Sequence, residues 1–254
     1  MNFFTKLFGR KKENITKEND NLTTTTFSAT TMTMEELNLL KVGDTIQLGR
    51  PTEKKETFEM KWLEANNNPY KIKIFDCREY AINRISTTQN EEIVKNFNST
   101  RQSDGKEFIG KFPENGARVE VDLNFHSKSL PDFKNGIADG VLFKAKTMES
   151  KWDIYKYVDY IFYVRSWTNE IVYFSNYIET DTGFKVDLIV LDDTKINEAD
   201  PYFELRIVEF LIHSHILNLT VPHPIPNTLE NNPEKIAAFS FSMFGNRGYF
   251  ATYD

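Results

Sequence analysis

An arginine set among aromatic rings is the clearest chemical feature of this sequence. Arg165 alternates with Tyr163 and Trp167, so the three side chains should share one face of a strand. Such an arginine can make a cation–π contact and, with a carboxylate, a bidentate ion pair. We predict a ligand- or partner-binding site formed by Trp152, Asp153, Tyr163, Arg165 and Trp167. The alternative is a structural staple on the sheet, and no residue is assigned a catalytic role.

Histidines and paired carboxylates offer weaker candidates for a metal site. His213 and His215 are two residues apart, and on a helix such residues point roughly 200° away from each other, so they could not share an ion. Asp192–Asp193 follows a predicted strand, where turn chemistry explains aspartate adequately. Asp181 and Asp187 form a second acidic pair. We therefore predict no metal site and no cofactor.

The single cysteine, Cys77, bears on both reactivity and compartment. One cysteine cannot form a disulfide within the chain, which favours a reducing compartment. Residues 72–78 have the pattern of a strand, so we expect Cys77 to be a small buried hydrophobe. The alternative is a reactive thiolate between Asp76 and Arg78. The sequence contains no G-x-S-x-G, P-loop, G-x-G-x-x-G or H-E-x-x-H motif.

Composition excludes several classes of protein. The 254 residues are 40% hydrophobic and 27% charged, with 11 Gly, 9 Pro and one Cys, which rules out collagen-like, disordered and disulfide-scaffold chains. No run reaches the ~18 apolar residues of a membrane-spanning helix. The net charge of −6 and the lack of a basic stripe argue against nucleic-acid binding. These features predict a cytoplasmic protein.

The N-terminal segment differs from the rest of the chain. Its apolar residues share one helical face and are accompanied by Lys6, Arg10, Lys11 and Lys12, a pattern typical of an interfacial helix on anionic lipid. The apolar residues are Phe3, Phe4, Leu7 and Phe8. A flexible or core-docking start and a partner contact are the alternatives.

Residues 13–33 are rich in Thr and Asn and poor in large apolar side chains, so we predict a disordered linker. This gives two regions, residues 1–33 and a single folded domain over residues 34–254.

The body of the chain is predicted to be a mostly antiparallel sheet. In residues 118–126 apolar and polar residues alternate, as in a strand with one buried face. Further strands are expected at residues 40–48, 72–75 and 140–147. Four strands joined by short turns should form a meander over residues 151–157, 160–167, 171–178 and 184–191. Because these four carry apolar residues on both faces, we expect one face of the sheet to be covered and the other partly covered.

Two segments predict helix starts. Thr88–Glu91 has the spacing of a capping box, and the helix it opens should end before Gly105. Asp200–Pro201 favours a long helix to about Leu219. In the proline-rich segment that follows, His223 is expected to be solvated. The fold class is therefore α+β, a single domain with a meander sheet packed by a long C-terminal helix.

The C-terminal tail is ambiguous. Residues 238–244 alternate in polarity and could pair with residues 249–253 as a hairpin, which we favour. The alternative is a helix opened by Asn232–Pro233 that runs through the same residues.

One stretch resembles a known pattern. Lys151–Tyr155 (KWDIY), followed by Tyr163–Glu170 (YVRSWTNE), resembles a KWDIY…YFxRSWTG pattern found in uncharacterised small bacterial cytoplasmic proteins, with Asn169 in place of the glycine. The resemblance implies no enzyme activity and transfers no catalytic residue. Proteins of this size and style often accompany bacterial toxin systems.

These observations favour a non-enzymatic cytoplasmic bacterial protein that binds a basic protein partner, with toxin neutralisation as one candidate role. The first alternative is a hydrolase or nucleotide-processing enzyme with a site around Arg165, assembled with Asp76 and Asp187. The second is a membrane-peripheral protein that uses residues 3–12.

Overall fold

The computed structural model describes residues 58–86, 88, 90–112, 116–192, 201–227, 229 and 231–253. Phe58–Asp254 form one compact α+β unit. Its elements in chain order are β1 (Lys61–Leu63), β2 (Ile74–Asp76), α1 (Arg78–Asn83), α2 (Glu91–Ser99), β3 (Gly116–Phe125), β4 (Gly140–Phe143), β5 (Trp152–Tyr157), β6 (Tyr160–Arg165), β7 (Glu170–Asn176), β8 (Ile178–Glu179), β9 (Phe184–Asp192), α3 (Pro201–Leu211), β10 (His223–Pro224), α4 (Pro233–Phe244) and β11 (Phe250–Thr252). The predicted N-terminal segment, linker, strands at 40–48 and domain start near Met34 lie outside the described residues.

The larger sheet is antiparallel throughout and has the order β3-β9-β7-β6-β5-β4, with β8 paired to β9. The predicted meander is confirmed, because β5, β6, β7 and β9 are neighbours in that order. β4 is shorter than predicted and ends at Phe143. The sheet thus places WDIY, which directly follows Lys151, on β5 next to YVR on β6, and the turn after β6 continues the pattern.

The two faces of the larger sheet are covered differently, as predicted. On one face, here called the helix face, buried residues such as Ile154, Tyr163 and Ile189 pack with side chains of α3 and α4. On the other, the second face, Phe162 and Phe174 pack with residues of the segment that precedes β3, including Phe108. This cover is incomplete, since Phe112 contacts Phe174 yet remains 56% exposed.

The smaller sheet has the order β1-β2-β11-β10, in which β10 and β11 are parallel and the other pairs antiparallel. Cys77 follows β2 and is fully buried with Phe75, Ile236 and Ala251. Its thiol donates to the Gly248 carbonyl at 3.1 Å, and burial raises the pKa of Cys77 to about 12. The prediction of a buried small hydrophobe is therefore confirmed, and a reactive thiolate does not form here.

The N-cap of helix α2 is two residues later than the capping box predicts. Its N-cap is Asn90, whose side-chain oxygen accepts from the backbone N–H groups of Glu92 at 3.0 Å and Ile93 at 3.3 Å. Asparagine is a strong N-cap, and here it takes the place that the box gave to Thr88. The helix ends at Ser99, before Gly105 as expected, and buries Phe97.

The expected long C-terminal helix is wrong, because the α-helix α3 ends at Leu211. Helix α3 is followed by a π-helical stretch, Ile212–Ile216, and then by Asn218, which has a left-handed backbone with φ 55°. The N–H of Leu219 reaches back to the His213 carbonyl at 2.9 Å, which closes the helix end. Among the described residues, no helix is long and apolar enough to cross a membrane.

The favoured C-terminal hairpin is also wrong. Residues 233–244 form α4, whose N-cap Asn232 accepts from Lys235 N at 3.1 Å and whose first residue is proline. Ile236, Ala237, Ser240 and Phe244 are buried, which is a helical spacing. The start signal therefore outweighs the short alternation, and β11 pairs instead with β2 and β10.

Candidate functional site

Two of the predicted site residues form a clamp on the C-terminal end of α4. Trp152 and Arg165 are cross-strand partners on β5 and β6, and the Arg165 guanidinium carbon lies 4.7 Å from the centre of the Trp152 ring. Arg165 donates to the carbonyls of Ser242 at 3.0 Å and Met243 at 3.1 Å. The Trp152 indole N–H donates to the Met243 carbonyl at 2.8 Å. We call Trp152 and Arg165 the clamp.

The clamp supplies what the end of a helix lacks. The last carbonyls of a helix have no partner within it and carry partial negative charge, so a cationic donor there stabilises the helix. Burial lowers the pKa of Arg165 to about 10, and the side chain is still charged at neutral pH. This geometry supports the staple interpretation of Arg165.

Tyr163 lies on the same face as the clamp but deeper in the core. It is fully buried, meets Tyr173 edge to face, and its hydroxyl is 3.3 Å from that of Ser175. Burial raises the pKa of the Tyr163 hydroxyl above its ordinary value. The side chain therefore contributes to the core and offers no surface to a partner.

Asp153 is on the opposite face of the sheet from the clamp. Its carboxylate accepts hydrogen bonds from both Arg101 Nη atoms, at 3.1 and 2.7 Å, and from the backbone N–H of Ala145 at 2.8 Å. The Lys144 ammonium is 3.3 Å away, and burial lowers the pKa of Lys144. Asp153 is fully buried. The five predicted residues are thus divided between two faces.

Trp167 lies beyond the end of β6 and lines an open groove against α2. The groove has a volume of about 460 Å³. Its lining residues are Glu92, Ile93, Lys95, Asn96, Ser99, Trp167 and Thr168. The Trp167 indole N–H donates to the Met148 carbonyl at 2.9 Å, and the Asn96 amide donates to the Trp167 carbonyl at 2.7 Å. These bonds fix the ring while part of it stays exposed, and we call this feature the Trp167 groove.

The turn after Trp167 explains the asparagine in the pattern. Asn169 has a left-handed backbone with φ 57°, and its N–H donates to the Arg165 carbonyl at 2.8 Å. Glycine adopts this conformation most readily and asparagine tolerates it better than most residues. Asn169 can therefore replace the glycine without changing the turn.

Lys151 lies behind the Trp167 ring and is 4% exposed. Its ammonium is 3.9 Å from the centre of the Trp167 ring and 4.7 Å from that of Phe241. It donates to the Met148 carbonyl at 2.8 Å and to the Ser86 hydroxyl at 3.2 Å. Burial, with a contribution from Arg165, lowers the pKa of Lys151 to about 7. The neutral amine is therefore more accessible in Lys151 than in an exposed lysine.

The residues of the alternative enzyme site belong to three different strands. Arg165 lies opposite Glu170 in the register of β6 and β7, next to the turn that joins these strands. Asp187 is hydrogen-bonded to Asn176 at the opposite end of that hairpin. Asp76 belongs to the smaller sheet, where it holds Arg78 through two bonds of 3.0 and 2.7 Å. Each of these three groups thus has structural partners of its own.

Three of the four histidines pack against aromatic rings. His213 lies 5.2 Å from Phe125 and His215 lies 4.6 Å from Phe143, measured between ring centres. His223 is fully buried, so the expectation that it is solvated is wrong. Burial lowers the pKa of both His215 and His223 to about 3. The described part of the chain contains no group of three or more His, Cys, Asp or Glu side chains that could hold a metal ion.

Sequence reasoning missed Ser86, Arg101 and Lys151. Ser86 and Arg101 are separated from β5 by about 50 to 65 residues, and no local pattern links them to it. Lys151 belongs to the KWDIY stretch, but only its burial distinguishes it from an ordinary surface lysine. No protein-family model, curated protein or solved structure matches this chain.

Proposed function

We propose that the protein is a non-enzymatic cytoplasmic binding protein of bacteria, which captures a basic protein partner at the Trp167 groove. The observation that carries this proposal is the position of Trp167. Of the five predicted site residues, it is the one that lines a groove at the surface. Tryptophan is enriched among the residues that dominate protein–protein affinity.

The charges around the groove favour a basic partner. Glu91 and Glu92 are exposed in the first turn of α2, and Lys95 is the cation among the lining residues. An arginine or lysine of the partner would gain from these carboxylates and from the face of the Trp167 ring. The resemblance to small bacterial proteins suggests a toxin as the partner, so that the binding would neutralise it.

A tryptophan substitution with a matched control tests this proposal. The tagged full-length chain would be used to isolate a stoichiometric partner from its native cells, and a 12-residue oligo-arginine peptide would serve as the defined probe. We expect Trp167→Ala to weaken binding of both about 30-fold, which corresponds to about 2 kcal/mol. Trp62 is also half-buried but belongs to the smaller sheet, and Trp62→Ala should leave affinity unchanged.

The charge contribution has its own control. Glu91→Gln with Glu92→Gln should slow association at low salt and have little effect at high salt, because surface charges are screened. Equal binding by the Trp167 and Trp62 variants would refute the groove as the binding site. An isolated partner with an acidic surface would refute the assigned class of partner.

A further inference from the structure

The two edges of the larger sheet differ in how open they are to a further strand. At one edge, β4 has four residues, and its register with β5 shifts between Val141 and Phe143. At the other edge, β3 has ten residues, Gly116–Phe125, and pairs with β9 on one side. In the part of the chain that the structure describes, no strand pairs with the other side of β3. An edge strand presents a row of backbone N–H and C=O groups there, which can hydrogen-bond to another strand.

The apolar side chains of β3 also favour an added strand. Edge strands that resist pairing commonly carry lysine or proline, and β3 contains neither. Val119, Val121 and Leu123 pack against the core of the helix face but are only partly buried. A strand placed alongside would cover more of these three side chains, which would add hydrophobic stabilisation to the backbone hydrogen bonds.

The charges of β3 match a second copy of the same strand. Arg118 and Glu120 are both exposed and lie two residues apart, so they share one face. An antiparallel pair of these strands centred on Val119 places Arg118 of each chain opposite Glu120 of the other. Moving the centre by one residue in either direction brings two Arg118 or two Glu120 side chains together. With the centre on Glu120, Arg118 would also face Asp122, but that carboxylate already pairs with Lys185 at 3.3 Å.

We infer that β3 is a dimer interface, at which a second copy of this chain adds its own β3 antiparallel to the first, centred on Val119. The two larger sheets then join across a two-fold axis, and two Arg118–Glu120 pairs form on one face. Regular pairing extends to Glu120, because the register of β3 on β9 shifts between Glu120 and Leu123. The interface is therefore small, and we expect a dissociation constant on the order of 10–100 µM. This surface is separate from the Trp167 groove, which has no lining residue from β3.

Charge reversal tests the dimer by sedimentation velocity of the full-length chain, from well below to well above this dissociation constant. Arg118→Glu should weaken the dimer at least about 10-fold, because both opposite-charge contacts become like-charge contacts. Glu120→Arg should weaken it similarly. An equimolar mixture of the two variants should form a heterodimer, and the double variant should dimerise again, because each contact then joins a carboxylate to a guanidinium. Lys146→Glu, the same charge reversal at an exposed position after β4, is the control and should change nothing.

A cysteine on the two-fold axis tests the register. Val119→Cys should form a disulfide-linked dimer on mild oxidation, because directly opposite residues have Cα atoms about 4.5–5.5 Å apart. Val121→Cys should not, because the two copies of that residue lie about 13 Å apart along the strands. Cys77 is buried and should not compete.

Three results would each overturn the inference. The first is a chain that stays monomeric at every concentration, as it would if another segment of the chain or a different protein occupied this edge. The second is a mixture of the Arg118→Glu and Glu120→Arg variants that does not associate. The third is cross-linking through Val121→Cys in place of Val119→Cys. The outcome is independent of the Trp167 groove, because that proposal is tested by partner affinity.

Discussion

Each face of the larger sheet holds an arginine, but the two arginines are neutralised in different ways. On the second face, Arg101 makes a bidentate ion pair with the buried Asp153. On the helix face, Arg165 donates to the carbonyls of Ser242 and Met243 at the end of α4. In the first case two buried opposite charges stabilise each other. In the second case a single cation is stabilised by the partial negative charge of the carbonyls at a helix end.

This difference separates two uses of the same side chain. Removing one half of a buried ion pair leaves the other half as an uncompensated charge. Removing a cation from neutral carbonyls leaves only acceptors, which water can reach more readily at a helix end. The second face should therefore be the more sensitive to a single substitution.

The largest expected effect is that of Asp153→Asn. This change leaves the Arg101 and Lys144 cations without their shared carboxylate, and we expect a loss of about 3 kcal/mol or more in the free energy of unfolding. Urea denaturation measures it. The matched control is Asp122→Asn, whose carboxylate is 76% exposed and pairs with Lys185 at 3.3 Å. That variant should lose far less stability because an exposed ion pair contributes little, and an equal loss in both would contradict the comparison.

The next effect is that of Arg165→Met, which keeps the aliphatic stem but removes both donors and the contact with Trp152. We expect a loss of about 2 kcal/mol in the free energy of unfolding. Hydrogen exchange should quicken at the C-terminal end of α4, where the carbonyls lose their partner. Arg118→Met, at an exposed position of β3, should change stability by less than about 0.5 kcal/mol. Unchanged exchange in α4 would show that the clamp does not hold this helix.

Local patterns predicted the sheet well because strand identity depends on neighbours in the sequence. The alternation of β3 and the short turns of β5–β6–β7 were sufficient to define the meander and its two apolar faces. The same reasoning grouped Arg165 with Trp152 in one candidate site but could not tell which element would lie over them. The helix that does, α4, was predicted to be a hairpin.

Long-range packing decided the rest of the candidate site. Asp153 and Trp152 are adjacent on one strand, so their side chains point to opposite faces of the sheet. The predicted site grouped them by chemical type and did not apply this alternation. Asp153 binds Arg101, and Lys151 binds Ser86. No local spacing in the sequence connects the members of either pair. His223 was expected to be solvated from its proline-rich segment, yet it is covered by Phe210 and Phe244.

The smallest effect concerns the turns at the two ends of β6, the strand that contributes to both faces. Val158, in the turn before β6, has φ 55°, and Asn169, in the turn after it, has φ 57°. A β-branched residue is strained in this conformation, whereas asparagine tolerates it. Val158 is 61% exposed, so its side chain contributes little packing to offset the strain.

We therefore expect Val158→Asn to raise the free energy of unfolding by about 0.5–1 kcal/mol and Asn169→Val to lower it by a similar amount or more. The backbone contacts of Val158, from its N–H to Asp139 at 3.0 Å and from the Lys156 ammonium to its carbonyl at 2.9 Å, are available to any residue. Val141→Asn, at an exposed position within β4, is the control and should destabilise, because asparagine suits a strand poorly. β6 supplies Tyr163 to the helix face and Phe162 to the second face. Relief of strain should therefore slow backbone hydrogen exchange equally in α4, which covers the helix face, and in the segment around Phe108, which covers the second face. A change confined to one face would show that the two faces unfold separately, and that the two arginines stabilise independent parts of the sheet.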